Sequence, residues 1–275
     1  MPPENPFAAA RARAVLAPFR EPAQEKRAAS AGLAQARSGV YAVAMLTIVF
    51  DLDGTLVDTA PDLIDTINVI LTQEGLPPVP FEIGRNLIGG GAKVTLQRAL
   101  ATEGRSCPPA EIDHLYAAFV AHYAEHLADR SRPFPNLDHA LDQLADSGHR
   151  LAVCTNKLEW LAVRLLDILK LAPRFAAICG QDTFGIQKPD PEVFRRTVLR
   201  AGGEPAAAIM VGDSKTDVYT ARAAQVPVVA VDFGYSDVPI ASLNPDRIIS
   251  SYADLPGAIR ALAAELDRAE IGNSR

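Results

Sequence analysis

Apolar and polar positions follow two rhythms along this chain, and the change between them falls near Pro135. A short apolar run, Ile48-Val49-Phe50, reads as a strand that ends in Asp51 and Asp53. Leu63, Ile64, Ile67, Ile70 and Leu71 then recur at helical spacing over Pro61–Gly75, and Gly75, Pro77 and Pro78 close that helix. Further helices are expected from Ala92 to Glu103 and from Pro109 to Asp129, the last opening with Pro-Pro and Glu111. Three helices before any second strand predict an inserted helical lid. Beyond Pro135 short apolar runs alternate with helical segments. Strands are expected at His149–Cys154, Ala176–Gly180, Ala208–Gly212 and Pro227–Asp232, and helices at Leu137–Ser147, Leu158–Lys170, 191–201 and Thr216–Ala224. Asp190 and Pro191 stand where the third of these helices needs its cap and first residue. The pattern predicts an α/β chain, a doubly wound parallel sheet of the Rossmann-like kind with an inserted α-helical cap domain. The expected division is a core of 45–58 and 134–275, a cap of 59–133 and a disordered N-terminal extension of 1–44.

In such a sheet right-handed crossovers bring every strand's C-terminus to one edge, where ligands bind. The residues expected there are Asp51 and Asp53, then Thr155, Asn156 and Lys157, then Asp213 with Asp217 four positions on. Where a strand frays, residues i and i+2 reach one centre, so Asp51 and Asp53 are placed as a nucleophile and a proton donor. Gly54 lets the main chain approach an anion, and Thr55 adds a hydroxyl. Thr155 and Asn156 open a helix, a suitable cradle for phosphate oxygens. Lys188, held before Pro189, supplies a point charge for a phosphoryl group. Four aspartates bring about −4 and a phosphate monoester about −2 against +1 from Lys188, so the cluster calls for a divalent cation.

Composition narrows the classes. About half the chain is apolar, enough for a large core and a smaller unit. A net charge of −6 without a basic cluster argues against nucleic acid, and no apolar run is long enough to cross a membrane. Residues 1–44, rich in Ala, Arg and Pro, carry +3 and leave −9 for the remainder. Glu4, Glu21 and Glu25 argue against a transit peptide, and Met45 stands directly before the first strand, so this extension is expected to have no functional role. Cys107, Cys154 and Cys179 lack the spacing of a disulfide framework or zinc site, and the two in strand runs are expected to be core residues of a cytoplasmic protein. His122 and His126 lie i,i+4 on a helix but nothing converges on them, and Trp160 is expected in the core.

The string Asp51-Leu52-Asp53-Gly54-Thr55-Leu56-Val57-Asp58 resembles the first motif of the haloacid dehalogenase-like hydrolase superfamily, D-x-D-G-T-L-x-D. Gly212-Asp213-Ser214-Lys215-Thr216-Asp217 resembles its fourth. The resemblance implies that Asp51 attacks phosphorus, Asp53 protonates the leaving oxygen, and Mg²⁺ is held by Asp51, Asp213 and the Asp53 carbonyl with Asp217 in an outer role. An Asp at 53 favours phosphate esters over carbon–halogen or carbon–phosphorus bonds. Leu87-Ile88-Gly89-Gly90-Gly91-Ala92-Lys93 with Arg98-Ala99-Leu100, and Gly234-Tyr235 with Asn244-Pro245-Asp246, are similar to segments of bacterial phosphoglycolate phosphatases. Asn136 after Pro135, and Asp190-Pro191-Glu192-Val193 after Pro189, depart from that pattern without touching the chemistry.

The resemblance implies a Mg²⁺-dependent phosphomonoester hydrolase acting on a small phosphorylated metabolite such as 2-phosphoglycolate, as a monomer or homodimer. Arg85 and Lys93 are candidate contacts for the substrate's second anionic group, although a solvated helix face explains them equally well. A sugar phosphomutase of the same fold and a non-catalytic phosphate-binding regulator are the alternatives. The second of these would be expected to lack one of Asp51, Asp53, Lys188 or Asp213, and all are present.

Overall fold

The computed structural model describes residues 45–273, with side chains as far as 268. The extension expected over 1–44 lies outside the described residues. In chain order the strands are β1 (Thr47–Phe50), β2 (Val57–Asp58), β3 (Arg132–Pro133), β4 (Arg150–Cys154), β5 (Ala177–Cys179), β6 (Ala208–Gly212), β7 (Val228–Val231) and β8 (Arg247–Ile249). Six of them form one sheet in the order β5-β4-β1-β6-β7-β8, each neighbouring pair parallel.

The strands read as unbroken apolar runs because both faces of the sheet are covered. Ile48, Phe50, Leu151, Val153, Ile209 and Val211 pack into one buried cluster. The alternate positions, Val49, Ala152, Cys154 and Met210, pack into another. Cys154 and Cys179 are register partners on adjacent strands and both are buried free thiols, as their apolar surroundings predicted. From β1 the chain crosses to β4 and β5 on one side and then to β6, β7 and β8 on the other. That reversal makes the C-terminal end of β1 the topological switch point, the place where a doubly wound sheet opens a crevice.

Four helices lie between β2 and β3: α1 (Ala60–Gln73), α2 (Phe81–Leu87), α3 (Ala92–Thr102) and α4 (Pro109–Glu125). The paired β2 and β3 tie the two ends of this insertion together by an antiparallel register of Val57 with Pro133 and Asp58 with Arg132. The flanking helices are α5 (Leu137–Asp146), α6 (Glu159–Ile168), α7 (Pro191–Arg200), α8 (Lys215–Ala224) and α9 (Leu255–Asn273). The α7 start follows expectation, with Pro191 in its first turn and the Asp190 side chain accepting from the Glu192 N–H. None of the helices among the described residues is long and apolar enough to cross a membrane.

Three features depart from the sequence reading. The short helix α2 was not expected, nor were β8 and α9, because the first carries Gly84, Arg85 and Asn86 in a single turn and the last two lie beyond the clear alternation. Helix α4 stops at Glu125 rather than Asp129, where the His126 N–H closes onto the His122 carbonyl. Trp160 is 45% exposed instead of buried. The stripe that α6 turns inward is Leu161, Ala162, Leu165 and Leu166, and Trp160 falls one position outside it.

Candidate active site

Three adjacent strands, β4, β1 and β6, deliver their C-terminal residues to a single crevice, so the convergence expected from the sequence is observed. Asp51, Asp53, Thr155, Asn156, Lys157, Lys188 and Asp213 all line one cavity of about 70 Å³. The insertion closes its far side with Ile88, Phe119, Val120 and the Gly89–Gly91 loop.

Asp51 Oδ1 accepts from the Leu52 N–H at 2.7 Å and lies 2.9 Å from Lys188 Nζ. No hydrogen bond reaches its Oδ2 among the described residues. Lys188 Nζ also donates to Asp217 Oδ1 at 2.6 Å, and the lysine side chain is 1% exposed. Burial alone would lower the Lys188 pKa, but Asp217 and Asp51 outweigh it and hold the ammonium charged. Asp213 accepts from the Thr55 hydroxyl at 3.1 Å and from the Tyr235 N–H at 2.6 Å. Burial raises the pKa of both Asp51 and Asp213; Lys188 opposes this at Asp51, while the Tyr235 and Thr55 hydrogen bonds oppose it at Asp213.

The turn after β6 shows why Asp217 is buried. Its Oδ2 accepts from the Asp213 N–H, the Ser214 N–H and the Ser214 hydroxyl, while Oδ1 takes Lys188. The carboxylate therefore fixes the start of α8 and the position of Lys188 together. Asn156 plays a similar part from β4: its amide donates to the Lys188 carbonyl at 3.0 Å and accepts from the Lys188 N–H at 2.9 Å. Its side chain is thus engaged with Lys188, whereas Thr155 offers its hydroxyl at the cavity wall and accepts from the Lys157 N–H at 3.2 Å. Gly54 sits at φ +80°, and a Cβ there would collide with Asp213 Oδ2, so only glycine fits between β1 and the Asp213 carboxylate.

Asp53 is held by groups to which the sequence reading gave no role. Its carboxylate accepts from the Thr59 hydroxyl at 2.7 Å and from Lys157 Nζ at 2.8 and 3.1 Å. The Lys157 ammonium also stands 4.6 Å from the centre of the Tyr123 ring. Desolvation works against its charge, yet Asp53 prevails and raises its pKa. A signal for Lys157 was present, since it stands two residues after Thr155 at a strand end, the same spacing that joins Asp51 to Asp53. Tyr235 carried less: its hydroxyl donates to Asp58 and accepts from the Ala60 N–H, which ties the loop after β7 to the start of the insertion.

The two candidate contacts in the insertion lie elsewhere. Arg85 donates to the carbonyls of Phe233 and Gly234 at 2.7 and 3.1 Å and rests 5.3 Å from the Tyr235 ring centre. Lys93 pairs with Asp113 on an exposed face. Neither lines the cavity. The glycine loop does, and Arg98 pins it through the Leu87 and Gly89 carbonyls. Gly91, at φ +95°, brings the insertion against the Asn156 carbonyl.

Carboxylate oxygens of Asp51, Asp213 and Asp217 lie within 4.8 Å of one another. An all-oxygen, anionic donor set suits a hard divalent cation. The fit is closest for Asp51 and Asp213, whose burial penalises their charge, while Asp217 already accepts four hydrogen bonds.

The chain resembles known proteins in sequence and in fold. Residues 48–231 fit the model of the haloacid dehalogenase-like hydrolases. The phosphoglycolate phosphatase of Agrobacterium fabrum (strain C58) is 46% identical over 211 residues, covering 77% of this chain and 91% of that protein. The phosphoglycolate phosphatase of Caulobacter vibrioides is 44% identical over 212 residues, covering 77% and 90%. The crystal structure of a predicted phosphoglycolate phosphatase from Haemophilus somnus 129PT superposes with a TM-score of 0.73 at 32% identity, covering 78% of this chain and 98% of that one. The chain belongs to the haloacid dehalogenase-like hydrolase family. Its class within that family is phosphatase.

Proposed function

We propose that this phosphatase is a Mg²⁺-dependent phosphomonoester hydrolase acting through an aspartyl-phosphate on 2-phosphoglycolate or a similarly small ester, in a reducing cytoplasm. The observation that carries the reading is Asp51: a strand-end carboxylate with one oxygen beside Lys188 and the other without a hydrogen bond among the described residues, lining a small cavity. Asp51 Oδ2 attacks phosphorus as the bond to the leaving oxygen breaks. Asp53, carrying a proton and exchanging its contacts with Thr59 and Lys157 for one with substrate, delivers that proton to the departing oxygen. In the second half Asp53 takes a proton from water, which attacks phosphorus, releases phosphate and restores Asp51. Lys188 balances charge at the nucleophile, and the Thr155 hydroxyl with the Asn156 N–H holds phosphoryl oxygens. Asp51 and Asp213, with the Asp53 carbonyl and with Asp217 behind them, would hold Mg²⁺, which would supply charge neutralisation to the reaction.

Ile88, Phe119, Val120 and the Gly89–Gly91 loop close over the strand ends, an enclosure that suits a small ester. The names of the Agrobacterium and Caulobacter relatives point to the same substrate.

The test is phosphate release from a panel of esters with Mg²⁺ and with excess chelator. 2-Phosphoglycolate should show a higher kcat/KM than glucose 6-phosphate or a nucleoside monophosphate, without any added sugar bisphosphate. Chelation should stop turnover and Mg²⁺ should restore it. A sugar phosphate ranked first would overturn the substrate, and full activity in chelator would overturn the metal.

A further inference from the structure

The loop that follows β7 takes its shape from side chains rather than from a ladder. Asp232 still bonds its N–H to the Ile249 carbonyl at 3.2 Å. Among the described residues no backbone N–H bonds to the Phe233 or Gly234 carbonyl, and the donor to both is Arg85 Nη2 of α2, at 2.7 and 3.1 Å. The guanidinium also rests 5.3 Å from the Tyr235 ring centre, so its charge, its N–H groups and its plane are all spent on this loop. Arg85 belongs to the insertion and the loop to the core.

The same loop forms one side of the seat of Asp213. Tyr235 donates its N–H to Asp213 Oδ2 at 2.6 Å. Gly234 lies so close that a Cβ there would collide with the Asp213 side chain. Gly54 and the Thr55 hydroxyl confine the carboxylate from β1. Asp213 is thus placed by the loop, and the loop by Arg85. The Tyr235 hydroxyl, which accepts from the Ala60 N–H at 2.9 Å, ties the loop to the first residue of α1; Arg85 is a second tie, and it comes from the next helix of the insertion. Groups that hold a metal ligand from behind orient it and tune its affinity.

We infer that Arg85 is a positioning residue for the cation site: it holds the Phe233–Tyr235 loop against Asp213 and so makes Mg²⁺ affinity depend on how the insertion is seated on the core. This rests on the proposed Mg²⁺ dependence and adds a residue to it. Arg85 does not line the cavity, so its contribution is the same for every ester. Coupling of this kind is reciprocal, and a bound cation in turn favours the seated insertion.

The test measures Mg²⁺ binding by isothermal titration calorimetry, without substrate, in wild type, Arg85→Met and Arg85→Lys. Methionine keeps an apolar stem and removes the donors, whereas lysine restores a charged donor without the planar fork. The Mg²⁺ Kd should rise about 10-fold in Arg85→Met, the low end of what is lost when a metal ligand's support is removed, and by a smaller factor in Arg85→Lys. Lys93→Ala, on the exposed side of the insertion, should bind Mg²⁺ as wild type does. In phosphate release the half-saturating Mg²⁺ concentration should shift by the same factor for 2-phosphoglycolate and p-nitrophenyl phosphate. At saturating Mg²⁺ kcat should return to within about 3-fold of wild type, as expected when binding alone is weakened. An unchanged Kd in Arg85→Met, a rate that saturating Mg²⁺ does not restore, or a loss confined to 2-phosphoglycolate would each overturn the inference. If Arg85→Met does not fold, an unchanged Kd in Arg85→Lys overturns it and a raised one supports it. Wild-type protein that binds no Mg²⁺ and turns over in excess chelator would overturn the metal reading, and the inference with it. That outcome is read from wild type alone, so the two failures are distinct.

Discussion

The strand-end floor of the cavity and the helical roof opposite it use their polar atoms in opposite ways. On the floor, charge is dense and almost wholly committed: Lys188 is shared between Asp51 and Asp217, Lys157 holds Asp53, and Asp213 is held by Thr55 and Tyr235. Such a network is costly to desolvate, and it persists because each charge has a partner at close range. On the roof, apolar side chains dominate, and its polar side chains on the cavity are Thr95, Tyr116 and Tyr123. The floor is thus built to act on a phosphoryl group whatever is attached to it, and the roof to respond to what is attached. Variants of the floor should damage turnover of every substrate, whereas variants of the roof should change the ratio between substrates.

The sharpest break in that contrast is at Asp51. Asp51→Asn should reduce phosphate release on all esters by on the order of 10⁴-fold or more, the scale seen when a nucleophile is removed. Its melting temperature should stay within a few degrees, because the amide is isosteric. Purified variant that retains a percent of wild-type activity would remove Asp51 from the role of nucleophile. Asp53→Asn should cost about 10² to 10⁴ on alkyl phosphates. On p-nitrophenyl phosphate the loss should be smaller, since that leaving group departs without a proton. Equal losses on the two substrate types would separate Asp53 from leaving-group protonation.

Lys188 distinguishes chemistry from framework within the floor. Lys188→Met leaves Asp51 and Asp217 buried without their shared cation, and breaking a buried pair in this way costs about 3–5 kcal/mol. Urea unfolding should therefore show a clear drop for Lys188→Met and little for Asp51→Asn, although both lose activity. Equal stability of the two variants would mean that Lys188 is not the framework of the floor.

The floor was far more legible in the sequence than the roof, for a physical reason. Strands end where apolar runs end, and the parallel topology then brings those ends together, so Asp51, Asp53, Thr155 and Asp213 could be placed at one edge from local patterns alone, whereas Lys188 comes to that edge from the loop before α7. The side-chain direction of Asn156 could not, because its amide is turned onto the Lys188 backbone by a contact across 32 positions. Lys157 was at the right strand end but was given no role, since its partner Asp53 is 104 positions away. The roof depends on the tertiary packing of four helices, and helical periodicity does not say which flank of a helix faces a cavity. Arg85 and Lys93 carried charge in the right segment, yet one turns to the loop after β7 and the other to solvent. Tyr123 carried no charge and was given no role, and it is buried.

The exposed side of the cap should be indifferent to substitution. Lys93→Ala removes a pair with Asp113 whose partners are both substantially exposed, and pairs of that kind contribute about 0–1 kcal/mol. Activity on 2-phosphoglycolate and on p-nitrophenyl phosphate should both stay within about 2-fold of wild type. A selective loss on 2-phosphoglycolate would return Lys93 to the substrate and show that the cap closes further over the site than the present geometry.

The smallest expected effect tests whether the amino end of the sheet, remote from both floor and roof, is indifferent to the chemistry. His149 stands just before β4, and its Nδ1 accepts from the Leu46 N–H at 3.2 Å, holding the entry to β1. That bond requires a neutral ring with its proton on Nε2. Burial lowers the His149 pKa, so the folded protein resists a proton that the unfolded chain accepts. The unfolded state then binds more protons than the native state as pH falls below about 6.5, the ordinary histidine value. Stability contributed by the neutral ring is accordingly present above that pH and lost as pH falls through the lowered native value. His149→Asn retains a side-chain acceptor but does not titrate. The difference in melting temperature between pH 8 and pH 5.5 should shrink in this variant by no more than about 2–4 °C. Its kcat/KM at pH 8 should match wild type on every ester. A variant that keeps the full acid sensitivity of wild type would place the titration elsewhere, and one that loses activity at pH 8 would show that strain at the entry of β1 reaches Asp51 at its exit.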